Sequence, residues 1–154
     1  MRVLHVTVLA AGLAAFAAAA DAQGGRHFTV PLTGAAEVPG PGDLRGSGAA
    51  TLRLDVAPRS QICYELKVAN IPLPATGAHI HRGLATESGG VVVLLTAPGA
   101  DGTSSGCTAV THELAQEILA NPAQFYVNVH TSDRPAGALR GQLATTPAAK
   151  PAQK

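Results

Sequence analysis

Aromatic residues are scarce: the chain of 154 has Phe16, Phe28, Tyr64, Phe125 and Tyr126, and no tryptophan. Charged residues make up 14% of it, against about 25% in an average soluble protein. Few charges, together with 17 Gly and 11 Pro, exclude a long helical bundle or coiled coil, which needs abundant Glu, Lys and Leu. The net charge is only +1, and there is neither a basic stripe nor a run of stacking aromatics. Nucleic-acid binding therefore has no support. The two cysteines cannot make a Cys₂His₂ or Cys₄ zinc finger. No Gly-x-Ser-x-Gly elbow, phosphate loop or dinucleotide fingerprint occurs. Disorder throughout is excluded in turn by the 46% of hydrophobic residues. These absences leave a compact, turn-rich domain with a core of Val, Leu, Ile and Ala.

The N-terminus points to export. Met1-Arg2 is a short positive start, Val3 to Ala20 is apolar apart from His5 and Thr7, and Ala20-Asp21-Ala22 fits a small-x-small cleavage site. This is the anatomy of a secretory signal over residues 1–22, with Gln23 as the first mature residue. An uncleaved anchor is the alternative for an apolar run of this length. It is disfavoured because the cleavage site follows at once and no charge cluster flanks the run. The expectation is a periplasmic or secreted protein with no stable membrane span after cleavage. It comprises one domain over residues 23–144 and a flexible Ala/Pro/Lys tail over 145–154.

Export changes how Cys63 and Cys107 read. In an oxidising compartment an isolated pair is most simply one disulfide, the alternative being free thiols or thiolate metal ligands. Such a bond would close a loop spanning 44 positions. In the chain-entropy model that is worth roughly 4 kcal/mol.

Hydrophobic periodicity is mostly two. Leu52, Leu54 and Val56 alternate with Thr51, Arg53 and Asp55, and Ile62, Tyr64, Leu66 and Val68 with Cys63, Glu65 and Lys67. Ala57-Pro58-Arg59-Ser60 between them predicts a hairpin. Arg26 to Thr33, Phe125 to Thr131 and Ala138 to Leu143 are further strands, and the continuous apolar run Val91 to Leu95 predicts a central strand covered on both faces. Asp101-Gly-Thr-Ser-Ser-Gly106 reads as a turn. One segment is helical: Leu114, Ile118 and Leu119 recur at helical spacing between Thr111, an N-cap, and the stop signal Asn121-Pro122. The predicted fold is all-β, a Greek-key-like β-sandwich or flattened barrel of about seven to eight antiparallel strands with one short helix.

Histidine carries the chemical signal. His79 and His81 flank Ile80 in Ala78-His-Ile-His-Arg-Gly83, so on a strand both point to one face, about 6.5–7 Å apart. His130 ends a second strand on which Tyr126, Asn128 and His130 share a face. If the two polar faces align, three imidazoles meet, and imidazole-only sites suit copper and zinc. The competing reading is a polar cluster that braces two strands by hydrogen bonds. His112, at the helix start, is a weak fourth candidate, and His27 is weaker still. Glu37, Asn128 and Arg140 are candidate structural polar residues, with Glu37 and Arg140 expected to pair across the first and last strands. No residue is assigned a catalytic role.

Leu32-Thr-Gly-Ala-Ala-Glu-Val-Pro39, Gly46-Ser-Gly48, Ala78-His-Ile-His-Arg-Gly83, Tyr126-Val-Asn-Val-His-Thr131 and Gly137-Ala-Leu-Arg-Gly-Gln-Leu143 resemble, in order, the motifs of the CHRD (chordin-type) domain. The resemblance spans Phe28 to Leu143 and implies an extracytoplasmic β-sandwich like those of secreted bacterial proteins. More faintly, the H-x-H pair and the late V-x-V-His are similar to the copper ligands of copper/zinc superoxide dismutases. That similarity implies His79, His81 and His130 as copper ligands and Arg140 as an anion guide. No bridging histidine or zinc-binding loop matches, and the cysteine spacing departs from that family's disulfide.

Three readings follow. The favoured one is a secreted CHRD-type binding or scaffold module whose three histidines are either structural or a copper site, with enzymatic activity left open. The others are a copper-dependent redox enzyme resembling superoxide dismutase, and a protein-interaction module whose histidines are purely structural. The partner is an unknown protein or a metal.

Overall fold

A computed structural model describes residues 25–143. The expected signal segment 1–22 and tail 145–154 lie outside the described residues. Eight strands run β1 (Arg26–Thr33), β2 (Ser47–Asp55), β3 (Gln61–Ala69), β4 (Gly77–Arg82), β5 (Val91–Leu95), β6 (Thr103–Ala109), β7 (Phe125–His130) and β8 (Leu139–Gln142), and one helix, α1 (His112–Ala120), joins β6 to β7. All pairings are antiparallel, in one sheet of order β5-β4-β7-β8-β1-β2-β3-β6. The fold is the expected all-β one, as a single nearly closed, barrel-like sheet. Among the described residues no helix is long and apolar enough to cross a membrane.

Alternation produces the interior. Phe28, Val30 and Leu32 of β1 face inward with Ala50, Leu52 and Leu54 of β2 and Ile62, Tyr64, Leu66 and Val68 of β3, all buried. Ala78 and Ile80 of β4 join them from across the barrel, with Phe125, Val127 and Val129 of β7. The helix starts where expected: the Thr111 side chain accepts the Leu114 backbone N–H at 3.2 Å, and Glu113 lies in the first turn. Ala115 and Ile118 are its buried residues, with Leu114 and Leu119 packed partly against the core.

Two expectations are corrected. Val91–Leu95 is an edge strand paired only with β4, and Val91 and Leu94 are 47% and 67% exposed. Val93 and Leu95 are buried and Val92 packs partly against the core, and an uninterrupted apolar run does not reveal which of its residues are wet. The segment after Asp101 is a turn only through Gly102, whose φ of +76° suits glycine. From Thr103 the chain is β6, in register with β3 along its whole length. Its Ser, Gly, Cys and Thr residues carry no hydrophobic alternation, so pairing rather than burial makes it a strand.

The edges β5 and β6 meet through side chains. Ser104 Oγ donates to the Thr96 carbonyl at 2.8 Å, and Thr108 Oγ1 to the Leu94 carbonyl at 3.2 Å. Tyr64 Oη accepts the Thr96 N–H at 2.8 Å and donates to Thr96 Oγ1 at 3.0 Å. These bonds satisfy edge groups that would otherwise template pairing with another chain.

Cys63 and Cys107 are cross-strand partners in the β3–β6 register and form the expected disulfide. Their sequence separation of 44 sets the size of the effect of removing the bond. The C63S/C107S variant is expected to lose about 3–4 kcal/mol of unfolding free energy, measured by urea denaturation at neutral pH. An unchanged midpoint would show that the cross-link adds nothing to pairing already made by the ladder.

Candidate metal centre

Since Ala78 and Ile80 point into the barrel, Gly77, His79 and His81 of β4 point out of it. On β7 the same rule turns Phe125, Val127 and Val129 inward and Tyr126, Asn128 and His130 outward. The register places Gly77 opposite His130, His79 opposite Asn128 and His81 opposite Tyr126. His130 thus faces a residue without a side chain, and a Cβ at Gly77 would lie 3.2 Å from His79 Cε1 and 3.5 Å from His130 Cδ2. Into that slot the two rings converge, His79 Nδ1 lying 3.2 Å from His130 Nε2. One ring nitrogen from each of His79, His81 and His130 lies within 4.8 Å of the others.

The opposite nitrogens are tied to the backbone. His81 Nδ1 lies 2.9 Å from the Gly89 carbonyl and His130 Nδ1 3.0 Å from the Pro135 carbonyl. A carbonyl can only accept, so each Nδ1 carries the proton and each neutral ring keeps its lone pair on Nε2. His81 Nε2 is buried and has no hydrogen-bond partner among the described residues. Outer-shell carbonyls that orient imidazoles in this way are characteristic of metal sites.

All three rings are held below the usual histidine range. For His79 the causes are burial, then the His130 and His81 rings. For His81 burial outweighs the opposing Gly89 bond, and the Arg140 charge adds to it. For His130 burial outweighs the Pro135 bond, with His81 adding to it. Neutral imidazole is the form that binds a metal.

Around the histidines lies a buried polar layer. Tyr126 stacks on His81 at 4.8 Å between centroids and 8° between planes, and the Arg140 guanidinium lies 3.4 Å from the Tyr126 centroid. Arg140 is 1% exposed and donates to the carbonyls of Leu84 at 2.7 Å and Glu87 at 2.8 Å, and to Gln142 Oε1 at 3.3 Å. Gln142 adds a bond from Nε2 to the Gly83 carbonyl at 2.7 Å. The loop after β4 is thereby pinned over the sheet, and its Gly89 holds both His81, through the carbonyl, and the Tyr126 hydroxyl, through an N–H at 3.1 Å.

The expected Glu37–Arg140 pair does not form: Arg140 gives its donors to the loop carbonyls, and Glu37 Oε1 accepts instead from Asn128 Nδ2 at 2.7 Å. All three residues are buried polar groups. His112 lies elsewhere, on α1, where it contacts Gln116 Nε2 at 2.9 Å and Ser60 Oγ at 3.4 Å. His27 is exposed on β1. Sequence reasoning missed Gly77, Gly89 and the Pro135 carbonyl. The HxH motif signals none of them, because two act through the backbone and one through having no side chain.

Glu37 is 6% exposed, and its pKa is pushed up to about 7 because burial outweighs the Arg140 charge and the Val38 backbone hydrogen bond. Between about pH 4.5 and 7 the unfolded chain releases this proton while the folded protein keeps it. Stability is therefore full below that window, and about 2–3 kcal/mol is lost as the pH rises through it. The histidines act oppositely, costing stability as the pH falls below their unfolded value, so a difference between variants isolates Glu37. Glu37→Gln is expected to gain on wild type between pH 4.5 and pH 8 by about 2–3 kcal/mol in urea unfolding. A pH-independent difference would contradict the carboxyl's assigned state.

A family model of the CHRD domain matches residues 28–143. No curated protein and no solved structure matches the chain. The match takes in the histidine pair, the β7 motif and Arg140, and it covers most of the chain: this protein belongs to the CHRD domain family.

Proposed function

We propose that this protein is an exported CHRD binding module in which His79, His81 and His130 hold a copper ion. The observation that carries the reading is the orientation of His81 and His130. Each spends its Nδ1–H on a backbone carbonyl, and the buried His81 Nε2 has no partner other than what the cluster can admit. Three neutral imidazoles with no thiolate or carboxylate among them suit copper or zinc. A four-coordinate ion with nitrogens at about 2.0–2.1 Å spaces neighbouring ligands by about 3.3 Å. The His79–His130 approach of 3.2 Å is of that order, and His81 offers a third nitrogen within 4.8 Å of the other two.

Bound copper would supply a redox-capable Lewis acid. The chain's own residues orient the rings, cover the site with the 83–89 loop and keep the imidazoles neutral. Binding, rather than turnover, is the function so supported. Export is supported by the N-terminal sequence and is compatible with the disulfide. A second reading, histidines that only brace β4 against β7, is favoured by the same 3.2 Å approach taken as a hydrogen bond.

Copper titration of the tag-free protein against His79→Ala, His81→Ala and His130→Ala separates these readings. The expected result is one tight copper per chain, lost in each variant. Affinity is expected to hold down to about pH 6.5 and to fall as the lowered histidine pKa values are crossed in acid. Saturation at a hundredfold excess over Kd would add about 2.7 kcal/mol to unfolding stability. Equal, weak binding in wild type and all three variants would overturn the copper site and leave the bracing role.

A further inference from the structure

A different face of the barrel carries a second chemistry. On the solvent side of the sheet the register aligns four residues across four strands: His27 of β1, Arg53 of β2, Cys63 of β3 and Cys107 of β6. The two sulfurs of the disulfide are not equivalent in this row. Cys107 is exposed, on an edge strand whose outward neighbours at i−2 and i+2 are the small residues Ser105 and Ala109. Cys63 is partly buried, and its sulfur lies 3.7 Å from Arg53 Nη2. Asp55 holds that guanidinium at 3.1 Å and is itself held by Gln61 at 3.1 Å. The next outward residue of β3, Glu65, is paired with Lys67 at 2.7 Å.

Thiol–disulfide exchange distinguishes the attacked sulfur from the leaving one. The attacked sulfur must be open to the nucleophile, and the other departs faster the better its thiolate is stabilised. A guanidinium beside a sulfur stabilises the thiolate. We propose that Cys107 is a site of reversible S-thiolation by small thiols, with Cys63 as the leaving thiolate and Arg53 as the residue that positions positive charge against it. The thiolate RS⁻ attacks Cys107 Sγ and forms an RS–S bond. The Cys63–Cys107 bond breaks, and its electron pair stays on Cys63 as a thiolate beside Arg53. A second thiol attacking the mixed disulfide, now at the small thiol's sulfur, would release Cys107 as the free thiolate and carry the two electrons of reduction. Attack by the Cys63 thiolate on Cys107 Sγ instead breaks the RS–S bond, expels RS⁻ and restores the original disulfide. This site shares no residue with the histidine cluster and stands independently of copper binding.

The test incubates the oxidised native protein with reduced glutathione and iodoacetamide, which traps the released thiolate, and maps both cysteines by peptide mass spectrometry. The expected product carries glutathione on Cys107 and carbamidomethyl on Cys63, in at least about fivefold excess over the reverse. Arg53→Gln is expected to slow adduct formation about three- to tenfold, while Arg53→Lys stays within about twofold of wild type. Arg53 is 42% exposed, and urea midpoints check that both variants are folded. Glutathione found evenly on the two cysteines, or mainly on Cys63, would overturn the proposal. So would an unchanged rate in folded Arg53→Gln, or exchange in wild type that proceeds only at the rate of global unfolding. Should Arg53→Gln not fold, the adduct distribution in wild type decides alone.

Discussion

A guanidinium as enclosed as that of Arg140 is costly unless its donors are met. Among the described residues no carboxylate meets them; carbonyls and an aromatic face do. The carbonyls belong to Leu84 and Glu87, so the charge on β8 organises a loop that leaves the end of β4. That loop returns through Gly89, whose carbonyl orients His81 and whose N–H meets Tyr126. Arg140 also closes the circle by lying on the ring of Tyr126, which stacks on His81. The geometry of the histidine site therefore rests on a cation that touches none of the three imidazoles in hydrogen bonding.

Electrostatics within the layer is consistent with this. A buried positive charge disfavours imidazolium nearby, and Arg140 contributes to lowering His81. It also pulls Glu37 towards ionisation, yet burial prevails and the carboxyl titrates near neutrality, where Asn128 can donate to it in either state. At neutral pH the Glu37 carboxyl is thus only partly ionised, while the histidines stay neutral. The donors grouped there are imidazole nitrogens, the type that borderline-soft metals prefer over calcium or magnesium.

The two chemical faces sit at different places in one sheet. The histidines occupy β4 and β7, whereas the disulfide joins β3 to the edge strand β6. β8, β1 and β2 separate β7 from β3 one way round the sheet, and β5 alone lies between β4 and β6 the other way. The barrel seam, made by Ser104, Thr108 and Tyr64, joins β6 to β5, whose Leu94 is the register partner of His79.

Much of this was legible in residue order. Alternation in β1, β2, β3, β4 and β7 is a local property of the chain, and it alone dictates that His79 and His81 share a face with each other and leave Ile80 inside. The helix announced itself through Thr111 and the spacing of Leu114, Ile118 and Leu119. The pairing of Cys63 with Cys107 needed only an oxidising compartment and the absence of other cysteines. Where the local signal was weak, expectation failed: β6 has too few apolar residues to alternate, and β5 has too many to show its wet face. What only the tertiary structure decided is who answers whom across the layer. Arg140 meets loop carbonyls instead of Glu37, Glu37 meets Asn128, and the tautomers of His81 and His130 follow from Gly89 and Pro135. A backbone carbonyl is the same group at every residue. Sequence can place a histidine on a strand, but only the fold can say which carbonyl will take its proton.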